Sequence, residues 1–537
     1  MHGIELIVAI LGLALLGVPL FVIVGAGTVL SYKLFLRGDE SDINALLQIV
    51  QDMEGLAKKD AFLAVPFFIA AGAIMTSGGI AKRLVGVARA LVGWLPGGLG
   101  IASVFACMFF AAISGSSPVT LIAVGSVMFP AMVASKYPEN FSIGLLTTAG
   151  SLGCLVPPSI SLLIYSISVS GVKGGVAPDT MFLAGRLPAL MMALLLCGYS
   201  FVVGLKLPKS SRQPFSLAEL WRSTKDAAWA LVLPVLILGG IDSGLFTPTE
   251  ASAMACLYSG FVTVFIYREL DLRKLFGVLA ESAVLMGSLI LIIVLAFGLN
   301  RLLTLAGAND WLKTTLLGWD LSPAMFLIVV NFILILLGAL MDSISATLIF
   351  APLLAPIALE HGIDPIHFGI IFVVNMEIGY LAPPVATNLF VASAVFKKPF
   401  GQVTKAVLPT LGLAILGLGL VMFVPTLSKG LINRKNHQPF VESFPWSKPS
   451  KKKVAVAADG SGGPGVAAAG GGPAAGGDDA DGAGAPAAGG NSLLARALAD
   501  TADDDDEDDD EDGEADGDAG TPEPGSPDGG VVAAPPE

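Results

Sequence analysis

Two segments of this chain have the composition to bind a small, hard cation through oxygen. Gly153 is followed four residues later by Pro157-Pro158, and Gly379 is followed four residues later by Pro383-Pro384. Proline has no N–H, and its ring crowds the carbonyl four residues earlier. In each segment that carbonyl belongs to the glycine. Each segment therefore predicts a broken helix with a freed carbonyl inside an apolar stretch. Two hydroxyl-rich segments accompany them: Ser114-Gly115-Ser116-Ser117-Pro118, and Asp342-Ser343-Ile344-Ser345. Irregular backbone at membrane depth is tenable only where it is buried in protein or lines a cavity. These segments therefore read as hairpin tips facing such a cavity. A small hard cation takes oxygen ligands. Half-helix C-termini add negative dipole ends toward it, and half-helix N-termini can face an anion. Close helix packing through small residues is the competing reading of the serine cluster.

Other polar residues are fewer. Glu377 is an ionisable group in apolar surroundings, which points to function, with an interfacial position as the alternative. Arg301 is read either as a partner for an anionic substrate or as a side chain snorkelling to an interface. Asp364-Pro365 and Thr247-Pro248-Thr249-Glu250 have the form of helix starts. The four cysteines, Cys107, Cys154, Cys197 and Cys256, lie singly, and the four histidines form no cluster, so neither a disulfide framework nor a metal centre is expected. No phosphate-binding loop of the G-x-x-x-x-G-K-[ST] form occurs, so an ion gradient or a partner must supply energy.

These segments need a membrane scaffold to hold them. The 537 residues are 54% hydrophobic and 14% charged, which excludes an ordinary soluble domain. Apolar runs recur from Ile4 to about Leu431, roughly ten to twelve spans if some are re-entrant. The first run, Ile4 to Leu30, lacks a basic n-region and reads as a retained helix. A first membrane half covers 1–205, a basic linker 206–226, and a second membrane half 227–433. Residues 434–537 are Gly/Ala/Asp-rich, carry the acidic run Asp503 to Asp512 and most of the net charge of −13, and read as disordered. Nothing in either part suggests nucleic-acid binding. Basic residues at 206–225 and 268–274 place those flanks in the cytoplasm and the Gly239–Glu250 tip outside. Ala81 to Trp94 reads as an amphipathic helix in the membrane plane.

The two halves also match each other. The glycines and the double prolines are 226 positions apart, and the same shift puts Gly72 on Gly298, Pro130 on Pro356 and Ser116 on Asp342. A joint match at constant offset favours duplication over coincidence.

These motifs resemble a known family. Ile113-Ser114-Gly115-Ser116-Ser117, Gly153 through Ile160, Gly362-Ile363-Asp364-Pro365-Ile366-His367-Phe368-Gly369, Phe246 through Ala251 and Pro383-Pro384-Val385 are similar to the large membrane subunit of tripartite ATP-independent periplasmic (TRAP) transporters, the DctM family. The likeness covers about 4–431. It implies a sodium-coupled importer of small organic acids in the bacterial inner membrane. It also implies an elevator-type transport domain with two hairpins, a small DctQ-like membrane subunit and a periplasmic DctP-like binding protein. Sodium ions are the only cofactor implied. On this resemblance sodium falls on Ser114, Gly115, Ser116, Gly153 and Pro157, and on Asp342, Ser343, Ser345, Gly379 and Pro383. Substrate falls between them, near Ser117, Pro158, Ser159, Asp342, Asn388 and Arg301. Two departures stand out: Pro118 where a small residue is expected, and Ala386 where a glycine is usual.

The expectation is thus an all-α polytopic membrane protein of two repeats with re-entrant hairpins and broken helices, followed by a disordered tail. It is a secondary transporter and not an enzyme. A stand-alone ion-coupled carrier would be distinguished by uptake through this chain alone, and a channel by sodium-independent flux. An intramembrane enzyme would need a nucleophile–base or metal constellation, which the sequence lacks.

Overall fold

The computed structural model describes residues 60–208, 214–305, 321–340, 343–383 and 386–444, with a few isolated positions besides. Among these residues there are helices and no strands. In chain order they are α1 (Asp60–Ser77), α2 (Ile80–Val92), α3 (Gly98–Ser114), α4 (Ser117–Ala134), α5 (Glu139–Ser151), α6 (Ile160–Val169), α7 (Pro178–Leu205), α8 (Leu217–Asp226) and α9 (Ala228–Asp242). Then come α10 (Pro248–Phe261), α11 (Leu272–Leu305), α12 (Pro323–Leu340), α13 (Ser343–Glu360), α14 (Pro365–Gly379), α15 (Thr387–Phe396), α16 (Phe400–Phe423) and α17 (Thr426–Lys435).

The sequence places these boundaries through local chemistry. Proline stands in the first turn of α4, α7, α10 and α14, where its missing N–H costs nothing. Asp364 caps α14, its side chain accepting from the Ile366 N–H at 2.9 Å, as expected from Asp364-Pro365. Thr247 and Glu250 form a reciprocal capping box on α10: the Glu250 N–H donates to the Thr247 hydroxyl, and the Thr247 N–H donates to the Glu250 carboxylate. Gly115 ends α3 in the left-handed conformation at φ 59°, which a residue without Cβ adopts freely.

Among the described residues, five helices are long and apolar enough to cross a membrane, or up to seven if two bent pairs each count as one span. The expected first span, Ile4 to Leu30, lies outside the described residues, so the ten to twelve runs are not all represented here. Four further helices, α3, α6, α14 and α15, are apolar but only 10–17 residues long, because each runs into or out of a tip or a break. The turn at Gly78-Gly79 bends α2 by 73° from α1, as a change of direction near Ala81 requires. The apolar face of α2 is nevertheless buried in protein, with Ile80, Leu84, Val85 and Ala88 covered where α2 packs on α3. Its Arg83 stacks over Tyr267 at 3.8 Å and pairs with Glu269 at 2.7 Å. The basic linker is helical from Leu217, and α8 meets α9 at a 66° bend.

The element pattern repeats. Shifted by 226 positions, α4 coincides with α13, α3 with α12 to within one residue, α5 with the body of α14, and α6 with α15 to within one residue. The two sets interlock: α4 packs on α15, and α6 packs on α13. Helices approach closely where glycine faces backbone. At Gly144 on α5, a Cβ would stand 2.1 Å from the Ala406 carbonyl oxygen on α16.

The packed chain continues past α17. Glu442 returns to Lys429 at 2.7 Å, and Lys429 also reaches Asp364 at 2.9 Å. Burial opposes the Lys429 charge, but the two carboxylates more than offset it and hold the ammonium above the ordinary lysine range.

Candidate functional site

The first tip and the first break are in direct contact. After α3 the chain turns through Gly115, passes Ser116 in an extended conformation (φ −129°), and enters α4. The tip is held by its own hydroxyls. Ser114 Oγ and Thr120 Oγ1 are 2.9 Å apart, and the Thr120 hydroxyl donates to the Ser116 carbonyl at 2.8 Å. Opposite, α5 ends at Ser151, a single 3₁₀ turn covers Leu152–Cys154, and irregular backbone leads to Ser159. Ser159 caps α6 and donates its hydroxyl to the Cys154 carbonyl, so that oxygen is engaged within the break. Two backbone contacts lock tip to break. The Ile160 N–H donates to the Gly115 carbonyl at 3.1 Å. Gly153 lies flat against the Ser116–Ser117 peptide, where a Cβ would stand 2.6 Å from the Ser116 oxygen and 2.8 Å from the Ser117 nitrogen. Ser114, Gly153, Pro157, Pro158 and Ser159 are all buried, whereas Ser116 is half-buried.

The second tip and break are described only in part, and there the Gly379 carbonyl, expected to be freed by Pro383, accepts from the Ala382 N–H at 3.2 Å. Asp342, together with Met341, Pro384 and Val385, lies outside the described residues, so Asp342 has no assigned place here. Ser343 opens α13, is 2% exposed, and donates to the Tyr380 hydroxyl at 2.7 Å. Ser345 is fully buried in the first turn of the helix. Gly379 ends α14 against Gly338 of α12, where a Cβ would stand 2.6 Å from backbone atoms. Beyond it, Pro383 is exposed. Ala386 sits at φ 40°, ψ 74°, a left-handed conformation that explains why a glycine would suit this position.

The halves join at Asn388. Its side-chain N–H donates to Ser117 Oγ at 2.5 Å, so the first residue of α4 is tied to the start of α15. Asn388 is fully buried, and its Oδ1 has no hydrogen-bond partner among the described residues. A cavity of ≈ 280 Å³ lies beside this junction. It is lined by Ser114, Gly115, Ser116, Ser117, Cys154, Ser161, Ser343 and Tyr380, with Gly72 of α1 and Leu285 of α11 closing its side. Its described walls carry hydroxyls, a thiol, backbone and apolar groups, with no charged side chain. That volume is close to the lower end of the ~300–1,000 Å³ typical of small-molecule pockets.

The structure therefore gathers Ser114, Gly115, Ser116, Ser117, Gly153, Ser343 and Asn388 into one region. It does not gather all the expected residues. Arg301 lies in α11 with its side chain outside the described residues. Glu377, with the interfacial position as its alternative, is fully buried and faces Ser151 instead of water. Two residues went unread in the sequence: Thr120, one helical turn beyond Ser116, and Tyr380, the hydroxyl immediately after Gly379. The helical spacing from Ser116 was the available signal for the first. An aromatic hydroxyl inside a break was the signal for the second. Among the described residues no group of His, Cys, Asp and Glu could hold a metal ion.

The comparisons with known proteins agree with this architecture. The family model of the tripartite ATP-independent periplasmic transporter, DctM component, matches residues 7–427. The C4-dicarboxylate TRAP transporter large permease protein DctM of Pseudomonas aeruginosa is 46% identical over 373 residues, covering 69% of this chain and 86% of that protein. Its counterpart in Rhodobacter capsulatus is 40% identical over 433 residues, covering 79% and 97%. Among solved structures, the Alcanivorax borkumensis YdaH transporter superposes with a TM-score of 0.53 at 14% identity, over 80% of this chain and 99% of that one, a likeness of fold alone. The chain is a multi-pass membrane protein and belongs to the DctM family, the large permease component of tripartite ATP-independent periplasmic transporters.

Proposed function

We propose that this chain is the permease of a sodium-coupled importer of small organic acids in the bacterial inner membrane, with C4-dicarboxylates as the first substrates to test. It works with a small membrane subunit and takes its acid from a periplasmic binding protein. The observation that carries this reading is the junction of the two halves: the Ser116–Ser117 peptide seated on Gly153, and Ser117 tied to Asn388 beside a hydroxyl-lined cavity.

On this reading one sodium is held by backbone and hydroxyl oxygens of the tip Ser114–Ser116 and the break Gly153–Pro157. A second is held by Asp342, Ser343 and Ser345 with the break Gly379–Pro383. Oxygen-only ligation suits a hard monovalent cation. Each ion brings positive charge next to the N-terminal turns of α4 and α15, where backbone N–H groups and the Ser117 and Asn388 side chains receive a carboxylate. Pro158, Ser159 and Arg301 complete the substrate surroundings. Sodium binding stabilises the tip-to-break contact, so the loaded tips move as one unit against the rest of the chain in an elevator-type step. The matched helices are two repeats on this reading, supported by Ser151 and Glu377, which are 226 positions apart and touch.

Uptake in cells expressing the permease with its partner proteins tests this reading. Ser116→Ala and Asp342→Ala should each lower sodium-dependent uptake at equal expression. Wild-type uptake in both variants would remove the proposed sodium sites.

A further inference from the structure

Three tryptophans lie among the described residues, and all three are exposed on or beside α8. Trp94 follows α2 and meets Phe215, just before α8, edge-on with ring centroids 6.3 Å apart. Trp221 is on α8, and Trp229 is the second residue of α9. At the far end of α8, Arg83 of α2 reaches Asp226 at 3.5 Å. The two short helices therefore lie antiparallel and in contact.

The two sides of α8 differ. Leu220, Ser223 and Thr224 are half-buried, and Ala227 after them is fully buried. Leu217 and Trp221, four residues apart and so on one face, are 70% and 73% exposed. Exposed apolar side chains continue along the chain into α9, at Trp229, Val232 and Val235, across a 66° bend. The helix also carries Glu219, Arg222, Lys225 and Asp226 within ten residues, too much charge for the hydrocarbon core. Of these, Lys225 lies one turn from Trp221 on the same face and Arg222 adjoins it, both exposed. Glu219 is on the opposite side from Trp221, and Asp226 is turned to Arg83. The surroundings are basic. Residues 80–94, 215–226 and 267–274, the last tied in by Glu269 to Arg83 at 2.7 Å, hold eight Lys and Arg against four Asp and Glu.

We propose that α8 lies in the headgroup layer of the cytoplasmic leaflet and binds anionic lipid, with its Leu217–Trp221 edge in the acyl region and Arg222 and Lys225 at the lipid phosphates. A helix in the membrane plane has this make-up: an apolar edge, tryptophan at the interface and flanking cations. The stems of Lys225 and Arg222 run along the apolar edge while their heads reach the polar layer. The excess of positive charge suits an anionic leaflet, and the bend lets α9 enter the bilayer directly from α8. A protein partner would cover the apolar edge equally well but would not call for cations along it.

Quenching of tryptophan fluorescence by lipid brominated near the top of its acyl chains tests this on the full chain in vesicles at low salt. The readout is position in the bilayer, so it stands or falls apart from the sodium reading. In each background, the difference on adding Trp221→Phe isolates the Trp221 signal. That signal should be quenched, and equally so with the small membrane subunit bound. Brominated phosphatidylglycerol should be preferred over brominated phosphatidylcholine, and the preference should fall about 5-fold in each of Arg222→Gln and Lys225→Gln. Both variants should keep their quenching by phosphatidylcholine, because the apolar edge remains. An unquenched Trp221, quenching lost when the subunit binds and so covers this face, no preference between the two lipids in the wild type, a preference unchanged in both variants, or loss of phosphatidylcholine quenching in both would each overturn the proposal.

Discussion

Gly153→Ala isolates the contact on which the account depends. The added Cβ would meet the Ser116 carbonyl oxygen at 2.6 Å, its carbon at 2.7 Å and the Ser117 nitrogen at 2.8 Å. All three are backbone atoms, so no rotamer change relieves the clash. Either the break or the tip must move by several tenths of an ångström. Overpacking of this kind costs about 1–3 kcal/mol. If that cost falls on the state in which tip and break are closed, affinity for the bound ion drops by about 5- to 150-fold. The assay is the sodium dependence of acid uptake in membrane vesicles at matched expression, with Gly198→Ala as control. Gly198 lies in α7 with nothing within 4 Å of its would-be Cβ, so alanine should be silent there. A Gly153→Ala variant with the wild-type sodium dependence would refute the claim that the tip must seat on the break.

Three further outcomes follow from the geometry. Asn388→Ala removes the bond to Ser117, a net contribution of about 0.5–1.5 kcal/mol, and should weaken apparent affinity for the transported acid about 2- to 12-fold, read from uptake at varied concentration. Ala386→Gly relieves a left-handed alanine costing roughly 1–2 kcal/mol, offset by about 0.5–1 kcal/mol of added chain freedom; the thermal midpoint in detergent should rise slightly, and a fall would contradict the strain. Thr247→Ala breaks the capping box on α10 and should cost about 0.5–2 kcal/mol in the same thermal measurement, while leaving the sodium dependence of uptake unchanged.

Much of this site was legible because its signals are local. Proline after Gly153 and Gly379 dictates where helices stop, Asp364-Pro365 and Thr247-Pro248 dictate where they start, and the serines around Gly115 mark a turn. The constant offset of 226 positions was visible for the same reason, and the helix boundaries follow it. What the sequence hid is which segment touches which. Ser117 and Asn388 are 271 positions apart, and no local pattern connects them. Ser151 and Glu377 share the repeat offset but not the residue type, so their pairing left no trace in the motif comparison. Which apolar runs cross and which stop short was hidden because a helix that ends at a tip is as apolar as one that crosses. For α2, periodicity identified an apolar face but could not say that α3 covers it.

The central claim is that the paired tips and breaks couple acid uptake to sodium. The most direct test is uptake of a labelled C4-dicarboxylate into proteoliposomes containing this chain with its small subunit, supplied by the binding protein, under an inward sodium gradient. The account predicts uptake that requires sodium, collapses when sodium is replaced by potassium, and is impaired by Ser116→Ala. Equal uptake with potassium in place of sodium would contradict it.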